Sequence, residues 1–264
     1  MHKYLEVAKT HMKAQLAWRC DVIFNMIFTV SKILFAYLLW GIIFGERSEV
    51  SGFTFHGMLS YYIVSSFLSQ LEMSDGISGE ISARIRNGTF SNYMVLPVSI
   101  ERYFVAMEAG VAAFYFVFDL AAALIWIFIF RIQFVFVQSV FVFFCALFMI
   151  LMGMFFMVQL NYFLGILTLK YQEIGTFLMI KNNLIALVTG TIIPLALFPE
   201  TFVRGMRLLP FYYITYLPSM LLTGRCAGEA LTGLFVLLLW CLALQAVIAV
   251  TWKNYRIKYD GVGI

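Results

Sequence analysis

Six apolar runs, most of them long enough to cross a bilayer, constrain this chain more than any other feature. A spanning helix needs about 20 mainly apolar residues, because the hydrocarbon core is about 30 Å thick. Every backbone polar group inside it must also be satisfied within the segment. The runs lie at residues 22–44, 57–73, 103–130, 134–169, 182–198 and 230–252. With 62% of its residues hydrophobic and 12% charged, the chain carries about half the charge of an ordinary soluble domain. The expectation is an all-α, polytopic membrane protein, a single transmembrane domain over 1–264 with no separate soluble catalytic domain.

Two runs carry irregularities. The stretch 134–169 exceeds one straight span at 1.5 Å per residue, which predicts tilt, protrusion or a break near Gly153 or Gly165. The run 182–198 contains Gly190 and Pro194, which predict a kink near its end.

Basic residues set the orientation. With the N-terminus inside, twelve fall on internal segments: Lys3, Lys9, Lys13, Arg19, Arg84, Arg86, Arg102, Lys170, Lys181, Lys253, Arg256 and Lys258. Five fall outside: Arg47, Arg131, Arg204, Arg207 and Arg225. Positive charge accumulates on the cytoplasmic side, so both termini are expected there, with the protein multi-pass in a plasma membrane, that of a bacterium. The scatter of these charges along membrane edges argues against a nucleic-acid surface. Residues 1–21 show no cleavable-signal pattern, so the first span is expected to direct insertion. Leu5, Ala8, Met12 and Leu16 share one helical face there, with Lys3, Glu6, Lys9 and Lys13 on another, which predicts an amphipathic interfacial helix.

The longest polar interruption is 74–99, between the second and third runs. Ile77, Ile81 and Ile85 recur every four residues, giving a stripe on one side of a short helix. Ser74 or Asp75 is available as N-cap, Asp75 and Glu80 lie early, and Arg84 and Arg86 lie late, as the helix dipole favours. Asn87-Gly88 supplies a terminating turn, and Ser99 is placed to cap the next helix. The plainer reading is an interfacial helix resting on headgroups; the sharper one is a docking helix.

The stretch 199–229 is too polar for a seventh span and too apolar for a free loop. Pro199 suits a first helical position, Phe202, Met206 and Leu209 form a stripe, and Pro210 ends it. A second piece from Phe211 to Leu222 carries Pro218. Two short helices dipping back into the outer leaflet fit this pattern, provided that they pack on the bundle.

These features, in this order, resemble the membrane subunit of the type-2 ATP-binding-cassette exporters. The residues that carry the resemblance are the amphipathic N-terminus, the spans, the Gly79–Ser99 run GEISARIRNGTFSNYMVLPVS, and the Phe198–Met220 stretch with its FPET, LPFYY and LPSM pieces. Within that group the chain looks most like the permeases of roughly 260 residues that occur as related pairs with one ATPase. The resemblance implies a cytoplasmic coupling helix between helices 2 and 3, involving Asp75, Ile77, Glu80, Ile81, Arg84, Ile85, Arg86 and Gly88. It implies a re-entrant outer gate between helices 5 and 6, involving Pro199, Phe202, Met206, Pro210 and Pro218. It implies a cytoplasmic ATP-binding-cassette ATPase dimer as partner, a second permease, identical or related, and surrounding membrane lipid. No GxxxxGK[ST] phosphate loop occurs, so ATP and Mg are expected on the partner and no cofactor on this chain.

Charge inside a span costs about 2.5–3.5 kcal/mol per residue on insertion scales, so Lys32, Glu108 and Asp119 stand out. Lys32 and Asp119 lie about 15 and about 22 Å from the cytoplasmic edge, an offset that a lysine nearly bridges, so an interhelical ion pair is one reading and substrate contact another. Glu108 lies near enough to the cytoplasmic surface to be read as hydrated. Gly41 and Gly45 have the small-xxx-small spacing of a close helix seam and, by the resemblance, of a dimer seam. Asn25, Gln159, Asn161 and Gln245 are uncharged polar residues within the runs.

Two other function classes compete. An intramembrane enzyme needs paired catalytic groups, yet His2, His11 and His56 lie outside the runs, and Glu108 and Asp119 sit about 16 Å apart along one helix. No catalytic residue is assigned. A vitamin-binding membrane subunit of an importer would need neither polar segment. Cys20, Cys145, Cys226 and Cys241 are far apart without CxxC, so they read as small apolar residues with no metal or disulfide role.

Overall fold

The computed structural model of the chain describes residues 2–17, 19–45, 47–189 and 195–258, with backbone alone at 19–23, 25–26, 29–30, 196 and 258. Gly190 and Pro194, and the kink predicted there, lie outside these residues, as do the side chains of Arg19, Cys20 and Asn25. Among the described residues the chain is helical, with one isolated bridge between Val50 and Phe53 and no strand.

Helix α1 (His2–Gln15) lies along the start of α6 (Ile100–Ile129). Gly110 allows this approach, because a Cβ there would collide with the Ala8 carbonyl. Tyr4 hydroxyl accepts from Ser99 N at 3.3 Å, and His11 Nε2 pairs with the Tyr103 hydroxyl at 3.1 Å. Between them run α2 (Arg19–Phe44), α3 (Phe55–Leu71), α4 (Asp75–Arg86) and the short α5 (Ser91–Met94). Helix α3 starts at Thr54, whose Oγ1 accepts from Gly57 N. Ser99 occupies the N-cap position of α6 with extended backbone, but its side chain makes no capping bond.

After α6 come α7 (Val140–Ile166), α8 (Thr168–Tyr171) and α9 (Gly175–Val188), then α10 (Glu200–Met206), α11 (Tyr216–Leu222) and α12 (Ala230–Tyr255). Among the described residues three helices are long and apolar enough to cross a membrane: Ile100–Ile129, Val140–Tyr171 and Ala227–Tyr255. Large apolar side chains such as Phe35, Ile42, Phe128, Phe144 and Leu242 point outward, which suits lipid rather than water.

Two boundaries differ from the sequence expectation. The run 134–169 becomes helical only at Val140. Residues before it form a connector whose amides are used elsewhere: Val135 N donates to Ser60 Oγ at 2.9 Å and Val137 N to Leu222 O at 2.9 Å. The break in the run falls at Leu167, and Gly153 and Gly165 instead receive neighbouring elements. The run 182–198 corresponds to α9, which begins at Gly175. Lys181, assigned to an internal loop by its charge, is therefore inside a helix and buried.

The interior divides by end. At the end that carries α4, Ile77, Ile81, Ile85, Phe90 and Phe104 pack with Val158, Tyr162, Ile166 and Ile248. At the other end, Trp40, Phe53 and Tyr61 pack with Met149, Phe156 and the segment Phe211–Leu221. Helix α3 spans the distance, its first turns in the second cluster and its last residue leading to α4.

Candidate functional site

Helix α4 is a side arm seated on α7. Ile77, Ile81 and Ile85 are fully buried, and Ile81 rests on Gly165, where a Cβ would come within 2.8 Å of Ile81 Cβ. The isoleucine stripe thus fastens α4 to its own chain. The physical reason is simple: α7 offers Val158, Tyr162 and Ile166, and α8 adds Leu169, to cover the isoleucines. Gly88, in the left-handed region at φ +71, turns the chain after Asn87, and the amides of Thr89 and Phe90 both donate to Arg84 O.

The polar side of α4 is divided. Arg84 pairs with Glu80 at 3.1 Å and lies over the Tyr93 ring at 4.7 Å, while the Tyr93 hydroxyl donates to Glu80 at 2.5 Å. Burial first, then the bond to Glu80, push that hydroxyl above the ordinary tyrosine range, so it stays a donor. Arg86 reaches Glu173 at 3.4 Å across exposed surface. Asp75, Gly76, Gly79 and Arg86 remain exposed.

At the root of α4 lies a buried polar network. Ser74 sits in the N-cap position without capping the helix. Its hydroxyl instead donates to Glu72 and accepts from Asn161 Nδ2 at 2.8 Å. Lys181 Nζ donates to Asn161 Oδ1 at 2.8 Å and pairs with Asp75 Oδ1 at 2.5 Å. Glu108 completes the elbow: it is 3% exposed, and its Oε1 accepts from Met73 N at 2.7 Å. The hydrated Glu108 expected from its depth is thereby corrected, since the chain bends at Met73 and supplies a buried donor. Sequence reasoning noted Asn161 as polar but not its partners; Lys181 was missed because the apolar run was cut at its charge.

A cleft of about 260 Å³ lies between this network and the residues around Ile214. It is lined by Ser69, Glu72 and Asp75, by Asn182, Ile185, Ala186 and Thr189 of α9, and by Met157, Ile214 and Thr215. Ile214 lies against Gly153, near the middle of α7, so the segment 199–229 reaches deep into the bundle. Pro199 stands one residue before α10, Phe202 and Met206 are half-buried, Pro210 opens a 3-10 turn, and Pro218 lies buried inside α11. Arg207 and the Tyr212 hydroxyl both donate to Glu229, at 2.8 and 3.1 Å.

Other predicted residues are not brought together. No ion pair joins Lys32, which is exposed, to Asp119, which is buried with Oδ2 unpartnered. The two face different surroundings, and no other cation compensates Asp119 among the described residues. Gly41 is open, with nothing within 4 Å of an added Cβ, whereas Gly45 at φ +47 terminates α2 rather than continuing its face. Among the described residues no three His, Cys, Asp or Glu are grouped to hold a metal ion.

A family model described as ABC-2 family transporter protein matches residues 30–263. No curated protein matches the chain.

Proposed function

Because this chain belongs to the ABC-2 transporter family, as a membrane permease subunit that works with an ATP-binding-cassette subunit, we propose that it exports its substrate from the cytoplasm. In this reading six helices cross the membrane, namely α2, α3, α6, α7, α9 and α12, with both termini and α4 on the cytoplasmic side. The segment 199–229 is a re-entrant hairpin that closes the outer end. Two permeases, identical or related, face each other, and a hydrophobic or amphipathic compound passes between them. ATP and Mg are held by the ATPase.

The observation that carries the reading is the mounting of α4. Its apolar side is locked to α7 at Ile81 and Gly165, and its other side, with Asp75, Gly76, Gly79 and Arg86, is exposed. A helix so mounted moves with α7 when pushed. ATP-driven closure of the ATPase would press the exposed side, and α7 would carry the displacement toward Gly153 and the hairpin tip at Ile214. The cleft beside this path, open to Asp75 at one end and Thr215 at the other, is where a substrate route would open.

Purification in mild detergent from the native membrane tests this reading. An ATP-binding-cassette ATPase should accompany the chain, and inside-out vesicles containing the complex should take up an amphipathic dye when ATP is added. Recovery of the chain without an ATPase would refute the partnership. ATP-dependent uptake by right-side-out vesicles would refute the direction.

A further inference from the structure

We propose that Lys181 is the positioning residue that makes α9 follow the coupling helix, so that a stroke on α4 moves one wall of the cleft. This rests on the exporter reading above and adds a route that family membership does not supply.

Helix α9 is loosely held. Only Lys181 and Val188 are buried in it, and Lys181 is its sole charged residue. Apolar packing near α4 is limited to half-buried Leu178 beside Leu164 and Leu167, and the polar link there is the lysine. The Lys181 ammonium is 2.5 Å from Asp75 Oδ1, on the first residue of α4, and 2.8 Å from Asn161 Oδ1 on α7. Asn161 in turn donates to Ser74 Oγ, the residue before α4. Three elements thus meet on one cation. The next residue, Asn182, and Ile185, Ala186 and Thr189 line the cleft.

The pair is asymmetric, and that asymmetry gives it direction. The Lys181 side chain is 5% exposed, whereas that of Asp75 is 63% exposed. If α4 moves away alone, the carboxylate regains water, but the ammonium stays buried with one acceptor. The cost falls on α9, so α9 is drawn after α4. A lysine suits this task because its charge is compact and its four-carbon stem flexible, which lets the contact persist through a displacement.

The test measures α9 itself, in the complete complex with its ATPase. Spin labels at Asn183→Cys on α9 and Val117→Cys on α6, in a chain whose native cysteines are replaced, report the distance with and without Mg-ATP and vanadate. In the unaltered complex the distance should change on trapping. In Lys181→Met the population showing the change should fall by roughly fivefold or more, within the usual range of coupling between sites. Lys181→Arg should restore most of it, which a merely structural loss would not explain. If Lys181→Met does not assemble, Asp75→Asn removes only the anionic partner and is read in its place. A full change in Lys181→Met or Asp75→Asn, or an arginine variant that behaves like the methionine one, overturns the proposal. A parent complex with no ATPase, or with no nucleotide-dependent change, refutes the exporter reading instead.

Discussion

The two ends of the bundle are built from different materials. The α4 elbow uses an aliphatic stripe on one side, a buried polar network at its root, and an uncovered side facing outward. The segment 199–229 is aromatic and closed: residues 211–220 are all buried, and Tyr212 packs against Tyr213 and Tyr216 at 5.1 Å each. At the elbow, β-branched side chains with restricted rotamers fix one geometry, and charges tie it to neighbours. In the segment 199–229, tilted and edge-on rings fill a deep contact area. The difference sets an end fixed by aliphatic packing and charge pairs against one fixed by aromatic packing.

The largest effect that would sharpen this contrast comes from Ile81→Asp. A carboxylate placed at a site with 0% exposure has no partner there, which costs about 3 kcal/mol or more. Helix α4 should detach from α7, lowering the melting temperature in detergent and opening Arg84 and Arg86 to trypsin. Retained protection at those arginines would mean that the stripe does not fasten the helix.

Glycine substitutions compare the ends directly. In Gly165→Ala the new methyl meets Ile81 Cβ at 2.8 Å, beside the backbone of α4, where no rotamer change relieves it. A loss of about 1–3 kcal/mol is expected. In Gly233→Ala the methyl meets Leu217 Cδ2 at 2.6 Å and Met149 Cε at 2.8 Å, the free ends of flexible chains. The loss there should be below about 1 kcal/mol, as for tolerated core changes. Equal melting temperatures for the two variants would erase the contrast.

The stripe and the turn at Gly88 were legible because they depend on local periodicity and backbone sterics, whereas Ser74 and Ser99 take the N-cap positions without side-chain capping bonds. The side of α4 that is covered was not legible, because an amphipathic pattern does not say whether protein, lipid or a partner buries it. Lys181 and Glu108 were misplaced for a related reason. Hydropathy places a charged residue at the edge of a run, whereas tertiary partners, Asp75 and Asn161 for the lysine and Met73 N for the glutamate, hold both inside. The extent of 134–139 likewise depended on amide partners far away in sequence, Ser60 and Leu222.

Smaller effects test residues outside both ends. Lys32→Met and Asp119→Asn should add in a double-mutant cycle of thermal stability within about 0.5 kcal/mol, since no contact joins them. A larger interaction energy would place them together. The smallest effect is at His11, where burial holds the imidazole below its ordinary value of 6.5 despite the nearby Glu80 charge. Its contribution to docking α1 on α6 should be complete above pH 6.5 and fade as the pH falls through the lowered value, because the undocked imidazole takes up protons more readily. Amide exchange in α1 that is unchanged on acidification would remove this contribution.

Photocrosslinking along α4 in the membrane probes the mounting of that helix most directly. A crosslinking amino acid placed singly at Gly76, Gly79 or Arg86 should capture the ATPase, whereas one at Ile77, Ile81 or Ile85 should give crosslinks within the chain alone. Capture of the ATPase from the isoleucine positions, with none from the glycines or the arginine, would show that the stripe faces outward and that α4 is not a lever fixed to α7.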